Sequence, residues 1–131
     1  MKRTLTALTI AATMFASSAS AFDPDDLQKL RDTGRCTSCE LSYADLQIAG
    51  LKNAQLHFAN LKGANLGNAE LKNANLSNAD LRGAILAWAF LIDANLAGAN
   101  LEGSYLMDAM LGMSGLCPKL QCSLNPSHSK S

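Results

Sequence analysis

The sequence has little with which to do chemistry. Its two histidines, His57 and His128, stand 71 residues apart, and no Gly-rich phosphate cradle or nucleophile–base pair can be read. It also lacks an excess of charge: 11 basic residues balance 11 acidic ones. That balance excludes a strongly basic nucleic-acid binder and a strongly acidic mimic of nucleic acid. Long apolar runs are missing too, apart from one near the start, so no other stretch is suited to span a bilayer.

That one run has a specific reading. Lys2 and Arg3 precede apolar residues from about Leu5 to Ala16, and Ser17-Ser18-Ala19-Ser20-Ala21 follows. The order reads as a secretory signal cleaved after Ala21 rather than a transmembrane anchor, because the run is short and rich in Thr and Ala. Residues 1–21 are therefore expected to leave. The mature chain loses Lys2 and Arg3, so 9 basic face 11 acidic residues, a net charge near −2. The expected location is the periplasm or outside the cell, where four cysteines read first as two disulfides.

From Phe22 to Thr33 a short helix is expected. Asp23 suits the N-cap, Pro24 the first turn, and Asp25 and Asp26 the positive end of the dipole. Gly34 can end it. Its apolar face, Leu27 and Leu30, is too small for an isolated helix, so it must dock.

The rest is dominated by leucine. Sixteen leucines stand five residues apart without a gap from Leu41 to Leu116. Two residues before each is a small residue: thirteen times Ala, twice Ser (Ser104, Ser114) and once Cys39. A five-residue stripe drifts around an α-helix and alternates faces along a strand, so neither explains the pattern. The period alone specifies a solenoid. Leucine fills the axis, the small residue packs beside it, and Asp or Asn before it bonds nearby backbone.

Units such as Ala64-Asn65-Leu66-Gly67-Asn68 and Ala79-Asp80-Leu81-Arg82-Gly83 resemble the pentapeptide-repeat family, with its A-(D/N)-L-x-x motif. The resemblance covers about 80 of the 131 residues. It implies an all-β solenoid: a right-handed quadrilateral β-helix with one pentad per side and four per coil. Sixteen pentads, residues 39–118, then make about four coils and a prism about 20 Å long at roughly 4.8 Å per coil. Residues 22–38 form an N-terminal capping helix and Cys turn, and 119–131 a C-terminal cap and polar tail.

On that geometry residues twenty apart stack. The first side stacks Leu41, Leu61, Leu81 and Leu101; the second Leu46, Leu66, Leu86 and Leu106. The third stacks Leu51, Leu71, Leu91 and Leu111; the fourth Leu56, Leu76, Leu96 and Leu116. Gly63, Gly83 and Gly103 align at a corner, and Arg82 can pair with Glu102. Carboxylates scatter over different sides and levels, and His57 is expected at the surface. No catalytic residue, metal or cofactor is expected.

Cys36-Thr37-Ser38-Cys39 is a C-x-x-C. A redox site would need a βαβ context, haem attachment would need His where Glu40 stands, and a metal would need two more ligands. Cys117 and Cys122 lie four coils away. The register instead points Cys36 and Cys39 inward, as a local disulfide or as small apolar residues, and the family resembles this chain in having a Cys pair just before its first units. Cys117 and Cys122 occupy outward positions on adjacent sides. They are expected to pair only because the chain leaves the repeat path near Pro118 and caps the C-terminal end.

Outward positions are mostly polar, with one exception. Ile85, Trp88, Phe90 and Ile92, and one coil later Tyr105, Met107, Met110 and Met113, gather on two neighbouring sides. Such a patch marks a site for a protein partner or a second copy, or for cover by the tail through Leu120 and Leu124. A weaker cluster, Tyr43, Ile48 and Phe58, is expected under the N-terminal helix. The leading expectation is an exported, non-enzymatic scaffold with no nucleic-acid partner. The rivals are a thiol–disulfide protein using the C-x-x-C and a DNA-mimicking topoisomerase inhibitor. The second is disfavoured by the export signal, the short rod, and surface Lys52, Lys62, Lys72 and Arg82.

Overall fold

The computed structural model describes residues 22–112. Among these residues there is one helix, α1, Pro24–Thr33. Asp23 caps it by accepting from the Asp25 N–H at 2.8 Å, Pro24 sits in its first turn, and Gly34 closes it at φ 68°. Among the described residues no helix is long and apolar enough to cross a membrane.

Residues 35–112 are coil upon coil. Parallel bridges join residues twenty apart, from Arg35–Gln55 to Phe90–Met110. Four pentads therefore make one level. The leucine N–H donates to the level above, as Leu66 does to the Ile85 carbonyl at 2.7 Å. The residue before leucine donates to the level below, as Asn65 does to the Ala44 carbonyl at 2.9 Å. The strands are single bridges because each side holds only a few extended residues before the next turn.

Each pentad turns the chain in the same way. The N–H three residues after leucine bonds back to the leucine carbonyl, as Ala64 does to Leu61 at 3.0 Å. The residue two after leucine takes positive φ, the type II pattern. Every such position from Ser38 to Asp108 is left-handed, including Gly63, Gly83 and Gly103 at one aligned corner. Gly112 breaks the series: it is left-handed one place early, directly after Leu111.

The interior is the leucine ladder with its alanines. Leu41 to Leu101 are buried at every step, Leu106 and Leu111 are half-buried, and Leu116 lies outside the described residues. The alanines two places earlier are buried from Ala44 to Ala94, except half-buried Ala49. Burial of a leucine contributes roughly 2 kcal/mol before chain entropy is subtracted, so the ladder is the main driving force.

The polar residue before leucine has a defined task. The Oδ1 of Asp45, Asn60, Asn65, Asn75, Asp80, Asn95 and Asn100 accepts from the backbone N–H two residues on, at 3.0–3.2 Å. This Asx bond satisfies a donor on the outer face of the side.

Helix α1 closes the N-terminal end. Leu30 is buried, with Phe22 and Leu27 half-buried against the core. Asp23 N–H donates to the Glu40 carbonyl at 2.9 Å, and the Asp26 carboxylate accepts from Glu40 N–H at 2.8 Å. Such cover removes an open sheet edge that would otherwise template association.

One expectation fails here. Tyr43, Ile48 and Phe58 are not under α1; all three are more than half exposed. The helix lies across the end of the prism, while these residues occupy left-handed corners, whose side chains point away from the axis. Tyr43 instead lies over Gly63, one coil above.

Candidate functional site

The apolar patch is built on adjoining second and third sides. Ile85 bridges Tyr105 and Phe90 bridges Met110, so each pair sits on neighbouring levels. Trp88 N–H donates to the Met107 carbonyl at 2.9 Å, which aligns their corner. Trp88 is 53% exposed, Tyr105 58%, Met107 65% and Met110 50%; Ile85 and Phe90 are somewhat over a third exposed and Ile92 is half-buried. Met113 lies outside the described residues.

Two features of this surface run against the chain's own stability. Ile85, Phe90, Tyr105 and Met110 occupy the position before leucine, where Asp or Asn makes the Asx bond on seven other steps and where Gly50, Gln55 and Glu70 also lack it. They have no side-chain oxygen aimed back at the backbone, so four such bonds are forgone; each is worth about 0.5–1.5 kcal/mol at most. Trp88 has φ 62°, a conformation that costs a bulky residue energy and that Asn68 takes one coil below. Among the described residues the patch is an exposed apolar surface with one aromatic, Trp88, at a left-handed position.

The other sides are mostly polar, apart from the exposed corners Tyr43 and Phe58. Arg82 makes a bidentate pair with Asp80 of its own pentad, Nε to Oδ1 at 2.8 Å and Nη2 to Oδ2 at 2.5 Å. The expected pairing with Glu102 is displaced because Asp80 is two residues away on the same side. Glu102 acts on Arg82 only through its field. The Arg82 hydrogen bond lowers the Asp80 pKa against the effect of burial, and the same bond raises that of Arg82. At the N-terminal end Glu40 accepts from Ser42 Oγ at 2.6 Å and from Asn60 Nδ2 at 2.8 Å. The Ser42 bond is the larger influence holding its pKa below the ordinary value, Asn60 adds to it, and burial opposes both.

His57 is less exposed than expected. It is half-buried, its Nε2 is 3.2 Å from Thr37 Oγ1, and its Nδ1 is buried with no partner. Its ring meets Phe58 edge-on at 5.9 Å. It lines an open groove with Arg35, Lys52 and Gln55. The sequence signal for this was the twenty-residue relation to Thr37.

Cys36 and Cys39 are joined in a disulfide, with Cα atoms 5.2 Å apart. Both are buried. The Asp26 carboxylate lies close to both sulfurs, within 4.8 Å. Sulfurs bonded to each other are poor ligands, and Asp26 is engaged with Glu40. Cys117 and Cys122 lie outside the described residues.

Comparison with known proteins agrees with the repeat. The family model for pentapeptide repeats matches in eight copies over residues 49–87 and 84–113. A solved pentapeptide repeat protein of Nostoc Pcc 7120 is 31% identical. The match covers 78% of this chain and 95% of that one, at a TM-score of 0.48. A pentapeptide repeat protein of the Arabidopsis thaliana thylakoid lumen is 36% identical over 56% of this chain and 55% of its own, at 0.35. A third, involved in heterocyst differentiation regulation in Nostoc sp. Strain PCC 7120, is 40% identical over 59% and 38%, at 0.31. The chain thus spans nearly all of the first relative and about half or less of the other two. No curated protein matches it. Proteins with such repeats form right-handed quadrilateral β-helices and are generally non-enzymatic scaffolds.

Proposed function

Because the chain belongs to the pentapeptide-repeat family, we propose that it is an exported, non-enzymatic scaffold of about four coils. Its working surface is the apolar patch around Trp88 and Phe90, which binds a protein partner or a second copy. One observation carries this reading: Ile85, Phe90, Tyr105 and Met110 put large apolar side chains, exposed to solvent, at the position before leucine that is Gly or polar on every other described step. Aromatics and methionines with a polar surround suit the centre of an interface. The N-terminal 21 residues supply the export signal.

The test is affinity capture from a periplasmic extract with the mature chain and with a Trp88→Asp/Phe90→Asp variant. Both changes are at exposed positions, so the fold should survive, as circular dichroism can check. Loss of the same bound proteins from the variant supports the patch; identical captures sink it. Mass analysis of the exported protein should find Phe22 at its N-terminus.

A further inference from the structure

We propose that the occupant of the patch is a second copy of this chain, packed face to face about a two-fold axis centred near Phe90, an inference that rests on reading the patch as an interaction surface. On the third side of the prism the apolar centre is bracketed by opposite charges. Lys72 stands one coil below Ile92, and Asp108 one coil above Trp88, on the opposite diagonal across Phe90. Among the described residues neither makes an ion pair. An in-plane two-fold running along the other diagonal lays Lys72 of one copy against Asp108 of the other, and does so twice. The same operation brings Met110 against Ile92 and Glu70 against Trp88, whose indole N–H is a donor for that carboxylate. A face that is self-complementary in this way is what an isologous dimer requires. On that side Trp88, Phe90 and Met110 are exposed and Ile92 is half-buried, an apolar centre that the surrounding polar rim extends toward the about 800 Å² per partner of a stable complex.

The experiment is sedimentation equilibrium of the full chain and of Lys72→Glu, Asp108→Lys and the double variant, with thermal melts as a folding control. The wild type is expected to be dimeric. Each single reversal places like charges opposite one another and should weaken the dimer about tenfold or more. The double variant should recover to within about threefold of wild type. A monomer at the highest accessible concentration overturns the proposal, as does a dimer that ignores the charge exchange. These outcomes are separable from the fate of the patch itself. A monomer whose Trp88→Asp/Phe90→Asp variant still loses captured proteins keeps the interaction surface with a different occupant. A monomer whose Trp88 is shielded from acrylamide only while residues 113–131 are present assigns the patch to the tail.

Discussion

The ring of Tyr43 lies where a side chain at Gly63 would have to go. A Cβ on Gly63 would stand 2.3 Å from Tyr43 Cε1, and the glycine has φ 66°. Gly83, on the same corner one coil higher, has φ 67° and open space around it. The pair separates backbone strain from side-chain collision. Gly83→Ala should cost about 1 kcal/mol, for the left-handed conformation alone. Gly63→Ala should cost somewhat more, because the exposed Tyr43 ring must also swing aside. Adding Tyr43→Ala to Gly63→Ala should recover the difference. Urea denaturation of the four proteins checks this; equal costs at the two glycines would refute the collision.

Trp88 should trade stability for association. Replacing it with Asn, the residue of the same corner one coil below, relieves a bulky side chain at φ 62°. The variant is expected to gain about 0.5–1 kcal/mol. It should lose whatever binding the patch supports. A melt that falls rather than rises would mean that Trp88 is held by contacts within the chain.

The leucine ladder should be least tolerant in its middle. Leu66 and Leu71 are completely buried, with described coils above and below. Leu66→Ala or Leu71→Ala should cost about 2–5 kcal/mol. Leu106→Ala, at a half-buried position, should cost less. Denaturant midpoints at constant slope would establish the order.

Glu40 links the helix cap to the first coils and should report on acid. Its folded pKa is lowered, chiefly by Ser42 and then Asn60. A lowered pKa means the contribution is fully present above the unfolded value. It is lost as pH falls through the folded one. Wild type should therefore exceed Glu40→Gln in melting temperature at neutral pH, and the gap should close as pH falls below the ordinary carboxylate range. A gap independent of pH would remove Glu40 from the account. Asp80, lowered by Arg82, should behave in the same sense.

Reduction of the Cys36–Cys39 disulfide should loosen the N-terminal turn without creating an activity. The bond closes a very short loop, so its loss should cost about 2 kcal/mol or less. Both sulfurs are buried, so the native chain should not reduce insulin. Turnover that disappears in Cys39→Ser would revive the thiol reading.

Much of this architecture was legible before any coordinates. The spacing from Leu41 to Leu116 identified the interior, and the twenty-residue relation put Tyr105 above Ile85 and Met110 above Phe90. Local rules were enough for Asp23, Pro24 and Gly34, because caps act within a few residues. What could not be read were contacts fixed by the direction of a side chain or by the path of α1. Tyr43, Ile48 and Phe58 stand in the open because the helix crosses the end of the prism, not its side. Arg82 turned to Asp80 rather than Glu102, and His57 tucked one ring nitrogen inward. That Asp or Asn before leucine bonds the backbone was legible, but its partner, the N–H two residues on, needed the geometry.

The sequence by itself determined the coil. A leucine every five residues, with a small residue two places earlier, has one periodic way to bury its apolar groups, and periodicity is a local property that a chain carries in its order. Tertiary structure alone decided which surface is strained. Whether a residue is exposed at a left-handed corner, deprived of a hydrogen bond, or flanked by opposite charges depends on neighbours twenty residues away, and stacking brings those together only when the chain has folded.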